Sequence, residues 1–261
     1  MRAVGLHADV VVITSRIWQT TCTLVRSGEE AFCVDSPILP DELELVPAIA
    51  QQAQFQVMGL LATHADWDHL LGGYAFPDAP MGCAASTAQA LAGRPGNAQR
   101  ELRDFDEQYY VERPRPFGLT APQELPTPGH CSIGDRELEL HPAPGHSGDG
   151  MALWAPWIRV LICGDYLSPV EIPVLSDGGS VEEYLHTLDR LEPLVSAAEW
   201  VIPGHGEPLD GQRARAILRE DRAYMEALSR DGDGARLPLA RRTQAQRKAH
   251  SANVARSAGK P

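Results

Sequence analysis

Residues 63–69 read Thr-His-Ala-Asp-Trp-Asp-His, placing four side chains able to bind a metal, His64, Asp66, Asp68 and His69, within six positions. On a loop, such spacing turns alternate side chains toward two neighbouring points, as a site for two cations about 3.5–4 Å apart requires. A polar loop with helix-capping aspartates is the competing reading of this segment alone. Three further places repeat one theme: Pro144-Gly145-His146, Gly164-Asp165 and Pro203-Gly204-His205-Gly206. Each sets a His or Asp beside Gly or Pro, next to the end of an apolar run. Imidazole and carboxylate suit zinc, iron and manganese alike, and such cations make water a nucleophile near neutral pH. No Gly-x-Ser-x-Gly elbow or Ser-His-Asp arrangement competes for the chemistry.

Strands must end where these residues begin. Alternation marks Asp9–Ile13, Thr20–Val25 and Ala31–Val34 as short strands, with a hairpin at Ser27-Gly28. Asp41–Gln54 has helical spacing at Leu43, Val46, Ile49, Ala50 and Ala53, with Pro47 expected to shorten or kink it. Val57–Ala62 is nearly all apolar, the pattern of a strand buried on both faces, and it ends at Thr63. The second half repeats the grammar. Leu138–His141 and Trp154–Cys163 read as strands, Ser180–Leu194 as a helix with a Ser180/Glu183 capping box, and Trp200–Pro203 as a strand. Gln212–Arg230 closes as a helix. Two strand-then-helix halves predict two sheets face to face with helices outside. Residues 93–118 interrupt this order, with a polar helical insertion expected over Asn97–Arg115, ending at Pro114 and Pro116.

Composition narrows the class. The 261 residues are 43% hydrophobic, enough for one large domain with a sizeable core. No apolar run suits a membrane span, and Val10–Ile13 is too short for a signal-peptide core, so a soluble, cytoplasmic protein is expected. Five scattered cysteines without a Cys-x-x-Cys pair fit a reducing compartment. The balance of 23 basic against 35 acidic residues, a net charge of −12, argues against nucleic acid or an anionic membrane as partner. It leaves a small-molecule substrate as the expected one, with self-association open. Charge is uneven: residues 230–261 carry +6 and the remainder −18. Residues 231–261, basic and poor in apolar side chains, are expected to be a flexible or loosely docked tail after a domain spanning 1–230.

Together the motifs resemble the metallo-β-lactamase-fold hydrolase superfamily from about Asp9 to about Arg230: HxHxDH, a His after Pro-Gly, an Asp after Gly, and a final His in a Gly-His-Gly loop. Asp66 departs from the pattern by replacing the second His, giving HxDxDH; the related flavodiiron proteins use Glu there. The resemblance implies an α+β, four-layer αβ/βα sandwich. It assigns His64, Asp66 and His146 to a first metal, Asp68, His69 and His205 to a second, and Asp165 as the bridge. It implies two divalent ions, zinc first with iron or manganese as alternatives. The implied reaction is attack by metal-bridging hydroxide on a carbonyl-type substrate, a thioester, lactone or related ester. A di-iron redox protein or sulfur dioxygenase of the same fold is the alternative that Asp66 keeps open.

Other residues receive lesser roles. Asp68 and Tyr166 are named as catalytic, Tyr166 as a donor to a developing oxyanion. Cys163 reads as core and Trp67 as a packing anchor. His7, His130, His141, His186 and His250 read as surface or structural. Tyr109, Tyr110, Arg113 and Arg115 belong to the insertion, where a solvated helix face is favoured over contact with an anionic substrate.

Overall fold

Strand alternation sorts the first apolar side chains to two opposite faces. In β2 (Val10–Thr14), following β1 (Arg2–His7), Val10 and Val12 join one core while Ile13 joins another. In β3 (Thr21–Ser27), Val25 faces the first of these cores, and Cys22 and Leu24 the second. The sheet continues through β4 (Glu30–Val34), β5 (Gln56–Leu61), β6 (Met81–Ala84) and β7 (Gln123–Leu125). Its seven strands lie in sequence order, antiparallel from β1 to β4 and parallel from β4 to β7. Helices α1 (Pro40–Gln52), α2 (Gly72–Ala75), α3 (Ala85–Gly93) and α4 (Asn97–Tyr109) intervene.

The second sheet holds β8 (Gly129–Ile133), β9 (Arg136–Pro142), β10 (Met151–Ala155), β11 (Val160–Ile162), β12 (Trp200–Ile202) and β13 (Leu209–Asp210). With it come α5 (Val181–Ala197), α6 (Gly211–Asp231) and α7 (Gln244–Ser257). This computed structural model describes residues 1–119 and 121–258.

Three cores define four layers. Val12, Val25, Val34 and Leu61 of the first sheet meet Leu138, Leu140, Leu153, Ile162 and Ile202 of the second. Leu43 and Val46 of α1 and Leu102 of α4 cover the outer face of the first sheet with Leu24 and Cys33. Tyr184 and Leu188 of α5 and Ile217 and Leu218 of α6 cover the outer face of the second. The fold is the expected αβ/βα sandwich. Helix α1 runs through Pro47, and the Ser180 hydroxyl caps α5 by accepting from Glu183 N at 3.2 Å.

Four local expectations are corrected. Trp154–Cys163 is a hairpin of β10 and β11, turned at Arg159 with φ 53°. In β5 only Gly59–Leu61 are buried, because the shorter β6 pairs with Leu60 and Leu61 alone. The insertion helix stops at Tyr110, whose left-handed backbone ends α4 before Arg113 and Arg115. The C-terminal segment is docked rather than loose: Asn253 is fully buried in α7, Gln246 and His250 are buried beside it, and Arg241 is 1% exposed. Lys260 and its neighbours 259 and 261 lie outside the described residues.

Candidate metal centre

Every candidate ligand leaves a strand end at one edge of the sandwich. After β5, the chain passes His64 and Asp66 and makes a single 3-10 turn over Trp67–His69. His146 follows β9, Asp165 follows β11, and His205 follows β12. Two glycines are dictated by close approach. Gly145 has φ 126°, and a Cβ there would strike the backbone of Tyr184 in α5; a Cβ on Gly204 would strike Asp165 Oδ1.

The structure brings all seven side chains together as two trios around one carboxylate. Asp165 Oδ2 is 3.8 Å from His64 Nε2 and 3.4 Å from His146 Nε2, and Asp66 Oδ2 is 3.2 Å from the latter. Asp165 Oδ1 is 3.2 Å from His69 Nε2 and 3.4 Å from His205 Nε2, and Asp68 Oδ2 is 3.5 Å from the latter. Within the groups His64–Asp66–His146, Asp68–His69–His205 and His64–His69–Asp165, the ligand atoms lie within 4.8 Å of one another. Asp66, 30% exposed, is the member nearest solvent.

Each imidazole is oriented from behind through Nδ1. His146 Nδ1 donates to Val174 O at 2.8 Å and His205 Nδ1 to Trp18 O at 3.0 Å. His69 Nδ1 donates to Asp35 Oδ2 at 3.0 Å. Thr63 Oγ1 donates its proton to Asp35 Oδ2, so at 3.0 Å it accepts from His64 Nδ1. Neutral imidazoles so held present bare Nε2 lone pairs to the centre, the usual arrangement behind metal-binding histidines. The buried atoms His64 Nε2, His69 Nε2 and Asp165 Oδ1 have no hydrogen-bond partner. Orphaned acceptors converging among carboxylates fit divalent cations.

Electrostatics agree. Burial opposes charge throughout the cluster, yet the carboxylates overcome it, lifting His146 to about 9 and His205 to about 10. His69 is likewise raised by Asp68, Asp165 and Asp35 against the effect of its burial. Burial would raise Asp165, but the four surrounding histidines hold it well below the usual carboxylate range. Without a metal, protons supply the positive charge this cluster demands.

Tyr166 is corrected as an oxyanion donor. Its hydroxyl, 2% exposed, donates to Pro144 O at 2.7 Å and accepts from His146 N at 3.0 Å, so it braces the turn beneath His146. Cys163 is buried and its thiol donates to Tyr166 O and Ile202 O. His7, His130, His141, His186 and His250 belong to none of the three ligand groups. Arg113 is tied to Asp106 and stands over the Tyr74 ring, as does Arg115. Sequence reasoning missed Asp35, Thr63 and Asp149, whose Oδ2 accepts from Ala65 N at 3.0 Å. The signal for Asp35 was present: it directly follows the apolar end of β4, as His64 nearly does for β5.

Trp67 packs as expected, and its neighbours form a wall beside the centre. Trp18, held at φ 53° and 41% exposed, lies edge-on to Trp67, Phe105 and Tyr109 with ring centroids 5.6, 5.1 and 6.4 Å away.

The family described as Metallo-beta-lactamase superfamily matches residues 16–205. The acyl-coenzyme A thioesterase MBLAC2 of Gallus gallus is 27% identical over 208 residues, covering 73% of each chain. The Homo sapiens protein of that name is 25% identical over 210 residues, covering 73% of this chain and 74% of its own. Among solved structures, the sec-alkylsulfatase Pisa1 from Pseudomonas sp. superposes with a TM-score of 0.74 at 14% identity, over 97% of this chain and 49% of that one. A metallo-beta-lactamase family protein from Thermus thermophilus gives 0.67 at 20% identity, over 98% and 95%. These structural likenesses speak to fold alone.

Proposed function

The chain belongs to the metallo-beta-lactamase superfamily and is a metal-dependent hydrolase; from that premise we propose that it holds two divalent cations, zinc first, and hydrolyses acyl thioesters or related carboxylic esters. The observation that carries the dinuclear reading is Asp165, with one oxygen toward each trio of ligands. His64, Asp66 and His146 would hold one cation and Asp68, His69 and His205 the other. Bound there, the cations would supply Lewis acidity and bring the pKa of water toward neutrality.

The protein's own groups supply the rest. Asp68 directs Oδ2 toward His69 and His205, leaving Oδ1 to take the proton of the attacking water. Asp35, Thr63, Val174 and Trp18 fix the imidazole rings before substrate arrives, so no reorganisation is needed during reaction. The exposed rings of Trp18 and Tyr109, backed by the buried Phe105, offer apolar surface to an acyl chain whose carbonyl reaches the centre. That wall and the thioesterase names of the relatives favour an acyl substrate over a phosphodiester. None of the described helices is long and apolar enough to cross a membrane.

Asp66 favours one second reading, a di-iron redox protein or sulfur dioxygenase, because a third carboxylate suits harder cations than zinc. The test is to load metal-free protein separately with Zn²⁺, Mn²⁺ and Fe²⁺ and follow thiol release from acyl-coenzyme A thioesters beside lactone and carboxylic ester substrates. Turnover of an acyl substrate without oxygen consumption is expected. Activity confined to the iron form and dependent on oxygen would establish the second reading instead.

A further inference from the structure

The loop between Asp165 and α5 is held from outside by the C-terminal segment, which lies beyond the residues matched by the family. Three buried side chains do this. Arg241 Nη1 donates to Ser168 O at 3.1 Å and Glu171 O at 2.7 Å, Gln246 Oε1 accepts from Ile172 N at 2.8 Å, and Asn253 Oδ1 accepts from Leu175 N at 2.8 Å. Asn253 also donates through Nδ2 to Pro173 O at 2.7 Å, and Arg256 Nη1 donates to Leu175 O at 2.6 Å. Asn253 therefore grips the residues on both sides of Val174. The carbonyl of Val174 is the acceptor that orients His146 through Nδ1. At the other end of the loop, Ser168 Oγ donates to His205 O at 2.8 Å.

We propose that Asn253, fully buried in α7, is a positioning residue for His146: by fixing Pro173 and Leu175 it sets the Val174 carbonyl, and through it the direction in which His146 Nε2 faces the centre. The inference rests on the metal-centre reading above. Its physical basis is that a loop carbonyl orients an imidazole only as well as the loop itself is held. An amide whose oxygen accepts from Leu175 N and whose Nδ2 donates to Pro173 O, while also donating to the Tyr224 hydroxyl at 3.0 Å, ties the two residues around Val174 to α6 and leaves the intervening peptide little freedom. Arg256 reinforces the grip on Leu175 from the surface, and Gln246, two turns before Asn253 in α7, holds Ile172.

The experiment compares Asn253→Ala and Arg256→Met with the unaltered chain. Arg256 is partly exposed, so its variant keeps the test open where Asn253→Ala fails to fold. Two quantities are read well below the melting temperature: Zn²⁺ affinity against a chromophoric chelator, and the His146 Nδ1–H resonance and its exchange rate in chelated protein. Asn253→Ala should weaken one of two Zn²⁺ ions by about ten-fold and speed exchange of that proton, with Arg256→Met moving both in the same direction by less. Variants that melt earlier yet leave affinity and the imidazole proton unchanged would reduce Asn253 to a packing residue and overturn the proposal. The proton is read without metal, so it decides the role of Asn253 even where the two-cation reading fails.

Discussion

Asp35 Oδ2 lies 3.0 Å from Nδ1 of His69, joining the end of β4 to the end of the 3-10 turn thirty-four residues later. Asp35 adopts φ 55° and also accepts from Thr63 N and Thr63 Oγ1, each at 2.8 Å. One carboxylate thus orients His69 directly and His64 through Thr63. Asp35→Asn replaces an acceptor oxygen with a donor and cannot satisfy all three partners. It should weaken metal binding by about 10–100-fold while the fold survives. Equilibrium dialysis against Zn²⁺ checks this; affinity within two-fold of the parent would remove Asp35 from the orienting set.

Two cations per chain are expected at full loading. His146→Ala should deplete mainly the ion shared with His64 and Asp66, and His205→Ala mainly the ion shared with Asp68 and His69. Elemental analysis after dialysis measures both. A single ion in the parent under excess Zn²⁺, Mn²⁺ or Fe²⁺ would contradict the bridging role of Asp165.

Metal-free protein should lose stability as pH rises. His146 and His205 titrate near 9 and 10 in the folded chain, against about 6.5 when unfolded. The folded state therefore binds more protons over that window. Its advantage is complete below about pH 6.5 and disappears as pH climbs through 9 and 10. Cations need the neutral rings, so loading at pH 7 must expel protons and tighten as pH increases. Melts of chelated protein across this range, and calorimetric titrations in buffers of different ionisation enthalpy, read these two effects. Zinc uptake without proton release would contradict the raised histidines.

Asp66→His removes one negative charge from the centre. With both cations bound, a more positive site acidifies water further, so the acidic limb of the pH–rate profile should move down. Zinc should gain share in competition with iron and manganese. A limb that stays or rises with two ions present would refute the charge argument.

Arg241 and Asp221 form a buried pair, Nη1 to Oδ1 2.6 Å, both 1% exposed. Burial pushes Asp221 up to about 7 even against the guanidinium beside it. Arg241→Met strands that carboxylate and releases Ser168 O and Glu171 O, so a loss of about 3–5 kcal/mol is expected from denaturant unfolding. Truncation after Arg230, which removes α7 as well, should cost more. Unchanged melting in both would show that the C-terminal segment contributes nothing to the fold.

The twice-repeated strand-then-helix order and the gathering of the seven candidate ligands were legible because strand ends, Gly-Pro breaks and His/Asp spacing are local patterns. The helix α7 was not. Its buried side chains are polar, Gln246 and Asn253 bonded to loop backbone and His250 to the Tyr224 hydroxyl, and the half-buried Ala249 and Val254 that pack on the core make too little of an apolar stripe to advertise such docking. Tyr166 misled for a related reason: adjacency to Asp165 does not say which way a ring points, and its side chain turns into the core. Asp35 and Thr63 act through partners distant in sequence, which periodicity cannot reveal.

The dependence of the His146 loop on α7 carries a consequence for biosynthesis. His64, Asp66, Asp68 and His69 leave the ribosome long before His146, Asp165 and His205, and all seven precede Asn253. His64 and His69 emerge with the Thr63 and Asp35 side chains that orient them already made, whereas His146 takes its direction from Val174, on the loop that α7 holds. If Asn253 positions His146 as proposed, the group of His64, Asp66 and His146 would be complete only once α7 has docked.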